Sequence, residues 1–330
     1  NYDKNRWKLA ADACRFIMEQ RSQYYGLDMT NETGADPDSW ENYYRRFLGR
    51  YFIVGKESIW ISYEKKEWDY VKIPWLNRSA GGWNWVNPTY ELAKEYEMLN
   101  GKLPEEPESG YDFNDPGKNR DPRFKATISY PGAQYDAYGF KPWQGGSASH
   151  LQSQKTGMCL QKYIDPLFND ALGLPRNLRK NINHLFRYNE ILLIYAEAMN
   201  EAYGPEGVTD ELNLSARDAI NMVRGRSGLG IAALTSEDVS SKKEFRQALR
   251  KERMAELAFE DHRFWDIRRW KIGEETTKIK RVSISKAGDK YSFEYSVTAD
   301  RIWDDKMYFY PIPQSEIYKN PKLVQNPGWK

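Results

Sequence analysis

The stretch from Lys251 to Trp270, KERMAELAFEDHRFWDIRRW, restricts the possible folds more than any other part of the chain. Leu257, Phe259, Phe264, Trp265, Ile267 and Trp270 supply large apolar surface. Arg253, Glu256, Glu260, Arg263, Asp266 and Arg269 lie among them at helical spacings of three and four, where opposite charges meet. An ordinary surface helix does not mix charge and ring systems this densely, so the stretch reads as a charged lattice clamped over a core. Glu256 and Glu260 one turn apart also fit a pair of catalytic acids. Carboxylates crowded by arginine are more often structural ion pairs, and the scaffold reading is preferred.

The rest of the composition narrows the class. A chain of 330 residues buries a full core, as one large domain or two smaller ones. Forty-nine basic and 47 acidic residues leave a formal charge of +2, which argues against a protein built to hold nucleic acid. Two cysteines, Cys14 and Cys159, lack C-x-x-C spacing, and there are three histidines; no thiolate or imidazole metal cage is encoded, and no cofactor is expected. Both cysteines read as buried thiols. His150, His184 and His262 read as structural, and no serine or cysteine sits in an elbow motif such as G-x-S-x-G. No apolar run reaches the roughly 18 residues needed to span a bilayer.

Along the chain, Trp7, Ala10, Ala11, Cys14, Ile17 and Met18 form a helical stripe that Asp3 is placed to cap. A short helix is expected over residues 39–48 with Asp38 as cap, then a strand at 57–63. A further helix is expected over 88–100, with Asn87 as cap and Gly101 as stop. Helices dominate from residue 183, including 187–202 and 215–224. GRSGLG at 225–230 reads as a helix stop and not a phosphate loop, since no strand precedes it and no lysine follows. Residues 271–301 read as a hairpin or surface excursion in which Tyr291, Phe293 and Tyr295 alternate on one strand. The Pro-punctuated tail is too broken for a long helix and is expected to wrap across the body.

Residues 40–143 hold seven of the 12 tryptophans and 11 of the 23 tyrosines, set among Gly, Pro and Asn. A core does not need so many rings in loops. Flat aromatic faces stack on sugar rings, while Asn, Arg and Asp bond hydroxyls. In WLNRSAGGWNW, Trp75, Trp83 and Trp85 are expected to form a platform with Asn77, Arg78 and Asn84 as its polar rim; Tyr135, Tyr138 and Trp143 in a second loop complete the ligand candidates. The competing reading is that each ring merely pins its loop to the body.

The charged stretch resembles the C-terminal region of the SusD/RagB family, whose pattern E-R-x-x-E-L-x-F-E-x-x-R-x-x-D-x-x-R-W it follows. RYNEILLIYAEAMNEA at 187–202, YFYPIPQSEIYKNPKLVQNPGW at 308–329 and NRDPRFKATI at 119–128 match in order and spacing. Asn189, Met254 and Asp261 depart from the pattern, standing where the family more often has a small residue, Arg and Gly. The resemblance implies a mainly α fold: a tetratricopeptide-like helical scaffold with long irregular loops and a few short strands. It implies a late repeat helix at 1–25, an aromatic-rich ligand-binding loop region at 26–182, and a C-terminal helical region with its tail at 183–330, forming one structural unit that corresponds to a C-terminal portion of the family. In NRDPRF, Arg120, Asp121 and Arg123 are expected to bond each other and the backbone.

The function this resemblance implies is non-catalytic: binding of an oligosaccharide or polysaccharide at the cell surface and delivery to a SusC-like TonB-dependent transporter in the outer membrane. Membrane attachment would run only through a lipid anchor outside this chain. Peptide uptake is the alternative within the family, a glycoside hydrolase the alternative from another class, and a pure assembly scaffold a third.

Overall fold

The structure, a computed structural model, describes residues 2–27, 39–48, 55–64, 85–130, 143, 146, 155–164, 181–226 and 228–329. Helix α1 (Lys4–Gln20) begins where Asp3 accepts the Asn5 amide, and it buries Ala11 and Cys14. After α2 (Glu41–Arg45) comes strand β1 (Ser58–Glu64). Helix α3 (Tyr90–Glu95) is shorter than the pattern suggests. Thr89, not Asn87, is its N-cap, accepting from the Leu92 amide, and an extended Tyr96 ends it before Gly101. Helix α4 (Pro122–Thr127) runs directly into β2 (Ile128–Ser129), which pairs with β3 (Cys159–Leu160).

Strand β4 (Asn181–Arg187) occupies a region expected to be helical. It pairs antiparallel with β1, with an irregularity around Trp60. Its last residue leads straight into α5 (Tyr188–Tyr203), which Gly204 stops at φ 91°. Helix α6 (Ala216–Arg224) starts with a reciprocal capping box between Ser215 and Asp218. Helix α7 (Lys242–Glu256) is capped by Ser241.

The stretch from 251 to 270 is not one helix. Phe259 at φ 61° and Asp261 at φ 67° turn the chain before α8 (His262–Trp270), and Glu252, Glu256, Glu260 and Arg269 find partners far away in sequence. Strands β5 (Lys278–Ala287) and β6 (Lys290–Asp300) form the expected hairpin. The tail carries α9 (Gln314–Lys319) and folds largely on itself: Trp329 donates to the carbonyls of Lys306 and Phe309, and Gln325 clasps Ile312. Its links to the body include the Gly273 amide donating to the Tyr308 hydroxyl and the ring contact of Tyr310 with Phe264.

Helix α5 is the hub, packed by α1, α6 and α7, and is buried over almost its whole length. Leu192, Tyr195 and Met199 meet Ile220, Val223, Phe245 and Leu249 in the main core. A second core, with Tyr96, Phe124 and Ile128 against Ala255, seats the β5–β6 hairpin through Val282 and Ile284. There Gly157, at φ +79°, lets the backbone approach so closely that an added Cβ would strike the Val282 carbonyl. No described helix is long and apolar enough to cross a membrane.

Candidate functional site

The interior holds a buried ionic network that joins distant parts of the sequence. Arg187 binds Glu57 at 2.7 Å, Glu256 at 3.0 Å and Glu260 at 2.6 Å. Arg123 binds Asp121 at 2.7 Å, Glu252 at 2.5 Å and Glu256 at 3.0 Å. Arg226 reaches Glu57 and Glu256, and Lys162 reaches Glu260 at 2.7 Å. Asn189, a departure from the family pattern, donates to Glu256 at 2.7 Å and so belongs to the same network. Arg120 stands apart, donating to the carbonyls of Ala93, Tyr96 and Pro116.

Burial by itself would push Glu252 and Glu260 up, but their cations prevail. Arg187 and Lys162 bring Glu260 down to about 2, and Arg123 and Arg224 hold Glu252 below its ordinary range. Burial lowers the Lys162 ammonium to about 8, with Glu260 opposing. Glu256 and Glu260 are therefore bound on all sides by donors and are inaccessible, unlike the acid pair of a hydrolase. His184 is buried between Ser58 and the Arg46 carbonyl, where desolvation and then Arg187 lower it to about 4. His150 lies outside the described residues. Both cysteines are buried, and the described residues contain no group of His, Cys, Asp or Glu suited to a metal.

Of the ligand candidates, Trp75, Asn77, Arg78, Trp83, Asn84, Tyr135 and Tyr138 lie outside the described residues. Trp85 is 69% exposed and leads into α3. The residues that follow it, from Val86 to Thr89, line a cleft of about 450 Å³ whose other walls come from the α7–α8 turn and the base of β5. Trp143 is half-buried and bridges to Ile284; its ring lies 5.6 Å from Tyr291 with Lys286 over its face at 4.7 Å. It therefore anchors the hairpin as well as presenting an edge to solvent.

Trp143 belongs to an aromatic edge whose cross-chain pairings sequence reading missed. Tyr295 stacks near Tyr90 at 4.3 Å, Phe293 meets Phe113 at 5.9 Å, and Tyr291 meets Trp143. The period of two in Tyr291, Phe293 and Tyr295 was legible, since alternate strand residues share a face. Their partners, 150 to 200 positions away, were not. Lys280 donates its amide to Glu91 of α3, and Lys286 sits over Trp143. At about 3.3 Å per strand residue those contacts are roughly 20 Å apart, a span suited to an oligosaccharide more than a single sugar.

The fold is shared with known proteins. The SusD family profile matches residues 54–329. The chain belongs to the SusD family. Among solved structures, a SusD-like protein from Bacteroides fragilis NCTC 9343 superposes with a TM-score of 0.74 at 27% identity, over 99% of this chain and 63% of that one. A SusD-like carbohydrate binding protein from the same organism gives a TM-score of 0.70 at 26% identity, over 97% and 62%. SusD-like protein P2 of Formosa agariphila is 31% identical over 147 residues, 43% of this chain and 25% of that protein. The chain thus spans less than two thirds of the length of these relatives. Asp261 holds a left-handed φ of 67°, a conformation that costs energy for a residue other than glycine.

Proposed function

We propose that this SusD-family chain binds an oligosaccharide or polysaccharide without cleaving it, using the exposed rings of its irregular first half and the hairpin edge. The observation that carries the reading is the aromatic edge itself: Trp85 at 69%, Phe113 at 52% and Tyr295 at 40% exposure, backed by an interior whose acids are committed to arginine and lysine. Exposed rings of this kind stack on sugar faces, and hydrogen-bonding side chains at their margins read the hydroxyls. The relative named as a carbohydrate binding protein supports the same ligand class. Within this reading, Trp75, Trp83, Asn77, Arg78, Asn84, Tyr135 and Tyr138 extend the surface from Trp85 and Trp143. The bound glycan passes to a SusC-like TonB-dependent transporter in the outer membrane, and a lipid anchor outside these residues holds the protein at the cell surface.

The test is titration of the protein with a panel of oligosaccharides and peptides, followed by intrinsic tryptophan fluorescence. Saturable shifts with saccharides are expected, and the part due to the aromatic edge is lost in Trp85→Ala or Trp83→Ala. A response to peptides alone overturns the ligand class, and the appearance of shortened saccharide products overturns the non-catalytic role.

A further inference from the structure

A second cavity, of about 810 Å³, shares Arg253, Phe259 and Asp261 at the α7–α8 turn with the cleft beside Val86 to Thr89 and is walled by α1, β4, α5 and α8. Its size falls within the range of small-molecule pockets. At its mouth Phe186 and Trp265 are 43% and 57% exposed, and Phe186 stacks on its cross-strand neighbour Trp60 at 6.0 Å, itself 59% exposed. Trp7 of α1 forms a further wall. Large rings left open on two sides of a cavity are what a sugar ring requires for stacking.

The polar lining carries the stronger argument. Glu190 and Arg253 both line the cavity and are only 6% and 5% exposed, yet Glu190 Oε2 and Arg253 Nη1 have no hydrogen-bond partner. Buried polar atoms are nearly always paired, so an orphan acceptor and an orphan donor on one cavity call for an explanation. Hydroxyls donate and accept, so a polyhydroxyl ligand carries partners of both kinds without adding charge. The remaining groups are already engaged: Asp266 holds Arg253 and Arg269, Glu197 accepts from Arg269 and Trp270, and His262 Nδ1 sits 3.3 Å from Glu190. A ligand carboxylate or sulfate would meet Glu190, Glu197, Asp261 and Asp266 on the same lining, against Arg253 and Arg269.

We infer that this cavity is a second saccharide site, selective for neutral sugars and separate from the aromatic edge. It takes its ligand class from the saccharide-binding reading above. The experiment is a glycan array carrying neutral, uronic and sulfated oligosaccharides, probed with the intact protein and with Trp265→Ala, Phe186→Ala and Trp85→Ala, each checked for an unchanged thermal melt. Neutral glycans whose binding weakens by about tenfold or more in Trp265→Ala and Phe186→Ala, and persists in Trp85→Ala, are expected. Binding that depends on Trp85 and on neither Trp265 nor Phe186 overturns the second site and leaves the aromatic edge standing. Dependence on Trp265 confined to anionic glycans overturns the selectivity, and an array with no response overturns both sites together.

Discussion

The ionic network and the aromatic edge use the same kinds of residue to opposite ends. In the network Arg123, Arg187 and Arg226 are almost fully buried and each meets at least two acids, so the charges bind the protein to itself. On the edge, Lys286 lies over the Trp143 and Tyr291 rings and the indole of Trp85 faces outward. Paired charge in the interior gives up reactivity for cohesion, whereas rings at the surface give up burial for recognition. The comparison explains why a chain so rich in carboxylates is read as a binder.

The largest test of this contrast is Arg187→Ala. It removes the one guanidinium shared by Glu57, Glu256 and Glu260, leaving Arg226, Arg123 and Lys162 to hold three buried acids, and should cost roughly 3–5 kcal/mol or abolish folding, as measured by denaturant titration. A loss below about 1 kcal/mol would mean the network is not cohesive. Because Glu252 and Glu260 are held below their ordinary range, their contribution is present above about pH 4.5 and disappears as pH falls toward 2.

Glu190 runs the other way. Burial raises it to about 7, with Arg253 opposing, so the unfolded chain ionises first as pH rises through 4.5 and stability declines until about pH 7. Glu190→Gln removes that decline. The variant should gain roughly 2–3 kcal/mol over the native protein at pH 8 and almost nothing at pH 4, read from melts across the range. Equal stability at both pH values would place Glu190 outside the buried class.

On the edge the two indoles should separate. Trp143→Ala loosens the hairpin and should cost roughly 1–2 kcal/mol, while Trp85→Ala should change stability by less than about 0.5 kcal/mol and still remove saccharide binding at the aromatic edge. Equal destabilisation by both would make Trp85 a pin and not a platform. The smallest expected effect is Asp261→Gly, which relieves a left-handed aspartate and should stabilise by roughly 0.5–1 kcal/mol in the same melts.

Much of the frame was legible in the sequence because helices announce themselves locally. The stripe from Trp7 to Met18 and the helices at 187–202 and 215–224 depend on neighbours within a few positions, and all three appear in the structure. Where local signals conflicted, the reading slipped: Thr89 took the cap from Asn87, and residues 181–187 became a strand because β1 offered an edge to pair with.

By itself, then, the amino-acid order determined the helical stripes, the breaks between them and the grouping of acids with arginines near 250–270. Only the tertiary structure decided which charges meet. Arg123 joins Glu252, and Arg187 joins Glu57 across 130 positions, because a buried charge takes whichever counter-charge the packing brings within reach. The same holds for the rings: whether an indole pins a loop, as Trp143 does, or stands open, as Trp85 does, depends on what chain packs beside it, and no local pattern encodes that neighbour.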